Sequence, residues 1–350
     1  AAMEIGYPVL IKASAGGGGK GMRVVEEEAD LPEAIQGAGR EALNSFGNDR
    51  LLIEKYLPNA HHVEFQVFGD THGHLMHLFE RECSVQRRHQ KIIEETPSPL
   101  LTQGLREQMG EAAVKAARAV NYFNAGTIEF IVDPDTLKFY FLEMNTRLQV
   151  EHPVTELTTG LDLVQWQIRV AAGEHFPYSQ EQLAQHGHTI ECRIYAEDPA
   201  NGFLPSTGKL LQYIEPRGPG IRVDSGFRAG DEVTHFYDPL LAKLIVHAEN
   251  RETAIQKMQA ALREFIVHGV VTNIDFMQAV LKHHDFVQGK VSTRWVETKF
   301  NWVSLSEPPF EPLIAAALAD LTIVNRKSST VNSNMPDPYN PWKNPSGFRV

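Results

Sequence analysis

The chain has 350 residues, 42% of them hydrophobic and 22% charged, with a formal net charge of -11. This is an ordinary globular composition with room for two or three compact units, and its acidic balance excludes a general nucleic-acid binder, which needs a broad basic surface. No apolar run approaches the roughly 18–20 residues of a membrane span, the first residues lack a signal-peptide pattern, and Cys83 and Cys192 make neither a disulfide framework nor a zinc spacing. The expectation is a soluble protein of a reducing, intracellular compartment, with no membrane or nucleic-acid partner and a small anionic ligand held by a local basic cluster.

The chain begins at Ala1 without a start methionine and enters a strand-like run, Pro8-Val9-Leu10-Ile11, almost at once, as a piece cut from a longer protein would. Lys12-Ala-Ser-Ala-Gly16-Gly17-Gly18-Gly19-Lys20-Gly21 follows. Four residues without Cβ let successive N–H groups approach an anion, and the flanking lysines supply counter-charge, so a phosphate chain fits; a flexible Gly-rich turn is the alternative. The spacing is not that of a P-loop. A strand (Met22–Val25), a helix (Ala29–Leu43) and a strand (Leu51–Lys55) complete a small α/β lid over residues 1–58.

From His62 the pattern has period two: Val63, Phe65 and Val67 face one way, Glu64 and Gln66 the other, and Asp70-Thr-His-Gly73 turns the chain into a strand from Leu75 to Cys83. Leu105, Met109, Ala112, Ala116 and Val120 recur at helical spacing, and a second hairpin runs from Thr127 to Asn145. Residues 59–175 thus read as an antiparallel sheet with one polar face and packed helices. Residues 176–302 read as a β-rich unit, with a capping box at Ser179 and Gln182, strands near Ile190–Tyr195, Leu210–Ile214 and Leu241–Ala248, and two closing helices. The first of these carries Ile255, Met258, Leu262 and Phe265 and is expected to stop at Gly269; the second spans Asp275–Lys282. Residues 303–350 turn polar and Pro/Asn/Ser-rich, as a linker does.

With its turn centred near Thr136, the second hairpin sets Glu129 opposite Glu143, and Asn145 lies two residues on along the same face. Facing carboxylates repel unless a cation lies between them, and an all-oxygen set with an Asn suits Mg²⁺ or Mn²⁺; a solvated polar face in another register is the competing reading. If the chain beyond it is extended, Arg147, Gln149 and Glu151 point the same way, so that Arg147 can fork onto a planar anion and Glu151 can take a proton, or the two can pair. Arg87-Arg88-His89-Gln90-Lys91 concentrates basic groups in an acidic chain, which is costly without an anionic partner unless the run is a solvated turn.

The string from Glu54 to His62, then Gln86-Arg-Arg-His-Gln-Lys91, then Phe141-Leu-Glu-Met-Asn-Thr-Arg-Leu-Gln-Val-Glu-His-Pro-Val154, closely resembles the biotin carboxylase component of biotin-dependent carboxylases, an ATP-grasp enzyme, over about residues 4–300. Within that group the chain is most similar to the α chains of acyl-CoA carboxylases of the methylcrotonyl, propionyl or acetyl type. The resemblance implies an α+β fold, an ATP-grasp unit followed by a biotin carboxylase C-terminal domain. It implies ATP-dependent carboxylation of carrier-bound biotin with bicarbonate, through carboxyphosphate.

Carried over residue by residue, the resemblance puts Lys12 and Gly16–Gly19 at the ATP phosphates and Glu54, Lys55 and Leu57 at adenine. It puts His62 at the ribose, and Gln86 and His89 at the nucleotide. Glu129, Glu143 and Asn145 become ligands for Mg²⁺ or Mn²⁺; Lys91, Arg147, Gln149 and Val150 hold bicarbonate; Glu151 is the general base; and Arg193 holds the biotin ureido oxygen, on a strand whose Ile190, Cys192 and Ile194 face the other way. The implied partners are a separate biotin carrier domain, a carboxyltransferase subunit and a second copy of the chain, in the cytoplasm or, in a eukaryote, the mitochondrial matrix. The family's further N-terminal domain and its carrier lysine have no counterpart in the 350 residues. The alternatives are a nucleotide-binding or assembly fragment without turnover, and another ATP-grasp ligase that joins a carboxylate to an amine.

Overall fold

In the computed structural model, residues 1–15 and 21–303 are described; the Gly16–Gly19 loop and, from Ser304 on, the 303–350 tail expected as a linker lie outside that description. The first unit is a three-stranded antiparallel sheet in which β1 (Val9–Ala13) is flanked by β2 (Arg23–Val25) and β3 (Leu51–Lys55). Val9 and Ile11 bury one face of β1 against α1 (Leu31–Phe46), which turns Ala38 inward and ends on Gly47 in the left-handed region at φ 68. The opposite face of β1 carries Lys12. Leu10 pairs with Glu54, and the Lys12 ammonium reaches the Glu54 carboxylate at 2.8 Å.

An eight-stranded, wholly antiparallel sheet forms the rest of the framework. Its strands in chain order are β4 (His61–Gly69), β5 (Leu75–Arg87), β6 (Gln90–Thr96), β7 (Asn124–Val132), β8 (Phe139–Asn145), β9 (His188–Tyr195), β10 (Ile221–Ser225) and β11 (Leu240–Ala248). Their order across the sheet is β10-β11-β9-β6-β5-β4-β7-β8. The sheet therefore runs without a break across residue 175, where the sequence suggests a boundary, because β6 pairs with β9.

One face of the sheet is apolar. Val63, Phe65, Val67, Ile128 and Phe130 pack under α2 (Gln103–Ala119), which buries Leu105, Met109 and Ala113. At the other end Ile190, Cys192 and Ile194 join the core of α5 (Arg251–Glu264) and α6 (Ile274–Lys282). The polar face expected from Glu64 and Gln66 is present, but it is buried: α3 (His152–Thr159) packs across β5, β6, β9 and β11, and α4 (Leu163–Ala171) follows it. Burial of so many polar groups requires that they satisfy one another.

Two expectations are corrected. The helix carrying Ile255 and Met258 ends at Glu264 rather than at Gly269, because Ile266–His268 leaves it as a strand paired with Gln212–Ile214. The chain after Asn145 does not stay extended; it turns through Thr146–Glu151 into α3, so Arg147, Gln149 and Glu151 do not share one strand face. The capping box at Ser179 and Gln182 forms as expected, on a single 3-10 turn.

Candidate active site

Register on the second hairpin decides the first part of the site. Phe139 pairs with Val132 and Phe141 with Phe130, which by itself would carry Leu142 opposite Glu129; an extra residue in β8 shifts the pairing so that Glu129 faces Glu143. Asn145 Nδ2 donates to Glu129 Oε1 at 3.0 Å and to Glu143 Oε1 at 3.3 Å, so an amide dipole stands between the carboxylates. Turned over, the same amide offers its oxygen, and the three residues then present only hard oxygen donors, the set that suits Mg²⁺ or Mn²⁺.

Glu129 is the hub. His62 Nε2 lies 2.9 Å from its Oε2, Gln149 Nε2 donates to Oε1 at 3.0 Å, and Lys91 Nζ donates to the same oxygen at 3.1 Å. Burial pushes the Glu129 carboxyl up, but the His62 hydrogen bond and charge, with Lys91 and Gln149, outweigh it and hold the group far below the usual carboxylate range. Gln86 Nε2 approaches His62 Nδ1 at 3.4 Å and secures the other side of the ring.

Lys91 joins this hub to a second one. Its ammonium also donates to Glu64 Oε2 at 2.5 Å and to Glu151 Oε1 at 2.6 Å. Glu151 stands at the N-terminal end of α3 without capping it, since its side chain is committed elsewhere: its other oxygen accepts from Arg193 at 3.0 Å. Burial raises the Glu151 carboxyl, yet Lys91, Arg193 and Arg81 together hold it well below the ordinary range, so it is ionised. Arg193 donates through Nε to Glu94 Oε1 at 2.7 Å, on the polar face of β9 opposite the buried Ile190, Cys192 and Ile194. It is buried rather than open, at 8% exposure.

The structure adds residues that sequence reasoning passed over. Arg81 is fully buried and donates to Glu64 (2.5 Å), Gln66 (2.7 Å), Thr155, Thr127 and Gln149 (each 3.1 Å), tying β4, β5 and β7 to α3 and to the turn before it. Glu94 clamps Arg193, and Glu191 faces Glu94 across the β6–β9 ladder. Neither Glu191 oxygen has a hydrogen-bond partner among the described residues, and burial and the neighbouring Glu94 push its carboxyl well up. The alternation of Glu64 and Gln66 signalled this face; no local pattern signalled Arg81 or Glu94.

Other expected residues are not gathered into this network. Arg147 is exposed and donates only to the Leu148 carbonyl, at 3.3 Å, so no ion pair joins it to Glu151. The basic run splits: Lys91 enters the network, Arg87 turns to Glu197 (3.5 Å) and the Phe203 ring (4.2 Å), and Arg88 and His89 form an exposed turn at φ 48 and 69. Val150 contributes its carbonyl to Lys243 Nζ at 2.8 Å. Lys12 and Glu54 pair on the small sheet, Lys55 Nζ is held by the Gly6 and Tyr7 carbonyls at 2.8 and 3.2 Å, and half-buried Leu57 lies in the loop after β3.

Comparison with known proteins fits this arrangement to one family. The family "Carbamoyl-phosphate synthase L chain, ATP binding domain" matches residues 1–179 and "Biotin carboxylase C-terminal domain" matches residues 191–298. The α subunit of mitochondrial methylcrotonoyl-CoA carboxylase from Dictyostelium discoideum is 50% identical over 351 residues, covering 100% of this chain and 50% of that protein. Biotin carboxylase 1 of Bacillus subtilis is 50% identical over 297 residues, 85% of this chain and 66% of its own length. Among solved structures, the biotin carboxylase domain of Hydrogenobacter thermophilus 2-oxoglutarate carboxylase, in complex with MgADP, ADP and bicarbonate, superposes with a TM-score of 0.83 at 50% identity, over 87% of this chain and 67% of that one. An eight-stranded antiparallel sheet with a separate small sheet and a helix-roofed carboxylate network is thus the frame of an ATP-grasp protein. The chain belongs to the biotin carboxylase family, with methylcrotonoyl-CoA carboxylase α subunits among its relatives. It spans about half the length of the curated relatives it matches first.

Proposed function

We propose that this chain provides the ATP-dependent carboxylation of biotin by bicarbonate. The observation that carries the reading is Glu151: an ionised, buried carboxylate set between Lys91 and Arg193, on the same sheet face as the Glu129–Glu143–Asn145 oxygen set. Ligase chemistry with a weak electrophile needs a base beside an anion-binding cation, and a second cationic group for the acceptor. Lys12 and Gly16–Gly19 would hold ATP phosphates, Glu54, Lys55 and Leu57 adenine, and His62, Gln86 and His89 the rest of the nucleotide. Mg²⁺ held by Glu129, Glu143 and Asn145 would offset phosphate charge.

Lys91 with Arg147, Gln149 and Val150 would hold bicarbonate, and Glu151 would accept its proton as its oxygen attacks the γ-phosphorus, giving carboxyphosphate and ADP. Carboxyphosphate breaks to CO₂ and phosphate; phosphate takes the ureido N–H proton of biotin, and the resulting enolate, its oxygen on Arg193, attacks CO₂. The geometry adds a coupling. Arg193 and Lys91 each occupy one Glu151 oxygen, so moving Arg193 onto the ureido oxygen removes one of the three cations that depress the base and makes Glu151 more basic when biotin is in place.

In this reading residues 1–58 are the lid, 59–175 the ATP-grasp body, 176–302 the C-terminal domain and 303–350 a linker toward a biotin carrier. A carboxyltransferase subunit and a second copy of the chain are the further partners. Mitochondrial relatives support a matrix location in a eukaryote, and among the described residues no helix is long and apolar enough to cross a membrane. The test is phosphate release from MgATP by the full-length polypeptide that carries this chain. Release that requires bicarbonate and rises with biotin is expected; ATP cleavage indifferent to both, or stimulated instead by a carboxylate and an amine, would overturn the assignment.

A further inference from the structure

The hairpin that joins β4 to β5 carries Asp70-Thr71-His72-Gly73-His74, and the segment after α4 brings His175 beside it. We propose that Asp70, His74 and His175 form a binding site for a divalent transition metal of zinc's class, separate from the Glu129 set, that pins this hairpin to residues 173–178.

Asp70 is prepared for the role. Its side chain is fully buried, its Oδ1 accepts the N–H groups of His72 (2.9 Å) and His74 (3.0 Å), and its Oδ2 accepts that of Phe176 (3.0 Å). Burial alone would push the carboxyl up, but those three backbone donors hold it below the ordinary aspartate value, so a carboxylate is present at neutral pH. Oδ2 then faces two imidazoles, His74 Nδ1 at 3.4 Å and His175 Nδ1 at 3.7 Å.

Those separations are long for hydrogen bonds, which cluster near ~2.9 Å for nitrogen and oxygen. They match the edge of a ligand tetrahedron instead: bonds of ~2.0–2.1 Å to zinc put neighbouring donors about 3.4 Å apart. All three donor atoms lie within 4.8 Å of one another. The His175 ring is also oriented, because His72 stacks on it with centroids 3.6 Å apart and is itself fixed by Nε2 on the Gly173 carbonyl at 2.9 Å. Both ligand imidazoles are open to solvent, which leaves the fourth position to water. Two imidazoles and a carboxylate favour Zn²⁺ over Mg²⁺ or Ca²⁺, which prefer oxygen alone.

The test uses the chelator-stripped full chain titrated with Zn²⁺ by calorimetry and with Co²⁺ by visible absorption. We expect one saturable equivalent, tetrahedral-type cobalt bands and a raised melting temperature with zinc. These should survive His62→Asn, which touches the Glu129 network. His175→Asn, and the double change with His74→Asn, should weaken affinity by at least the ~10–100-fold that even outer-shell changes cost. His175 is exposed, so its variant should melt like the parent without metal. Absence of saturable binding, or binding unchanged in the His74/His175 variants, would overturn the site.

Discussion

Replacing Lys91 by Met tests the electrostatic core of the proposed mechanism. The ammonium, 11% exposed, bridges Glu64, Glu129 and Glu151 at 2.5, 3.1 and 2.6 Å. Removing one partner of a buried ion pair leaves an uncompensated charge and typically costs about 3–5 kcal/mol. Here Arg81 still serves Glu64, Arg193 still serves Glu151 and His62 still serves Glu129, so the low end applies, ~3 kcal/mol or about two decades in the unfolding equilibrium.

The pH dependence has a defined sign. Glu129 and Glu151 have depressed folded values, so their stabilisation is present above the unfolded carboxylate pKa of ~4.3 and is lost as pH falls below it. Lys91 has a raised value, so its share is full below its unfolded ~10.4 and is lost only above that. The stability gap between parent and Lys91→Met should therefore be flat from about pH 5 to 9 and shrink toward pH 3. Urea unfolding at 25 °C across that range measures it. A gap under ~1 kcal/mol at pH 7, the scale of an exposed ion pair, or one that grows on acidification, would refute the reasoning.

Glu143→Gln should weaken MgATP binding, measured by calorimetry, far more than it weakens binding of metal-free ATP, since it removes one anionic ligand and leaves the proposed adenine residues Glu54, Lys55 and Leu57 alone. In the full-length polypeptide, Arg193→Ala should abolish biotin carboxylation while retaining most bicarbonate-dependent ATP cleavage; equal loss of both would make Arg193 a structural clamp for Glu94 and Glu151. Gly110→Ala in α2 should destabilise despite the ~1 kcal/mol that alanine gains in a helix. Its Cβ would meet His77 Nε2 at 2.5 Å, and His77, pushed down to about 4 by burial, is a neutral ring already fixed by Phe79 N–H. Overpacking of ~1–3 kcal/mol should win, and a higher melting temperature would show that the ring can move.

What the sequence revealed follows from which information is local. The facing Glu129 and Glu143 were legible because hairpin register is nearly a matter of counting from the turn, although the extra residue at Leu142 made the count come out right. Arg193 came with the family resemblance; the period-two strand added only that it faces away from Ile190, Cys192 and Ile194. Arg81 was not legible, since its partners come from two other strands, α3 and the turn before it, and nothing within a few residues marks it. The bend at Thr146–Glu151 and the strand Ile266–His268 were missed for the same reason: the first is imposed by burying α3 over the polar face, the second by pairing with residues some fifty positions earlier.

The continuity of the large sheet across residue 175 has a mechanical consequence. Lys91 on β6, Arg193 on β9 and Glu129 on β7 hang from a single hydrogen-bonded plate, so the spacings among these three groups are set by strand geometry rather than by closure of one unit onto another. The small sheet bearing Lys12 and Glu54 is hydrogen-bonded separately from that plate. In the proposed reading, opening for exchange and holding for chemistry fall to different pieces of β-structure, and a change that loosens the small sheet should alter how fast nucleotide comes and goes while leaving the alignment of the reacting groups intact.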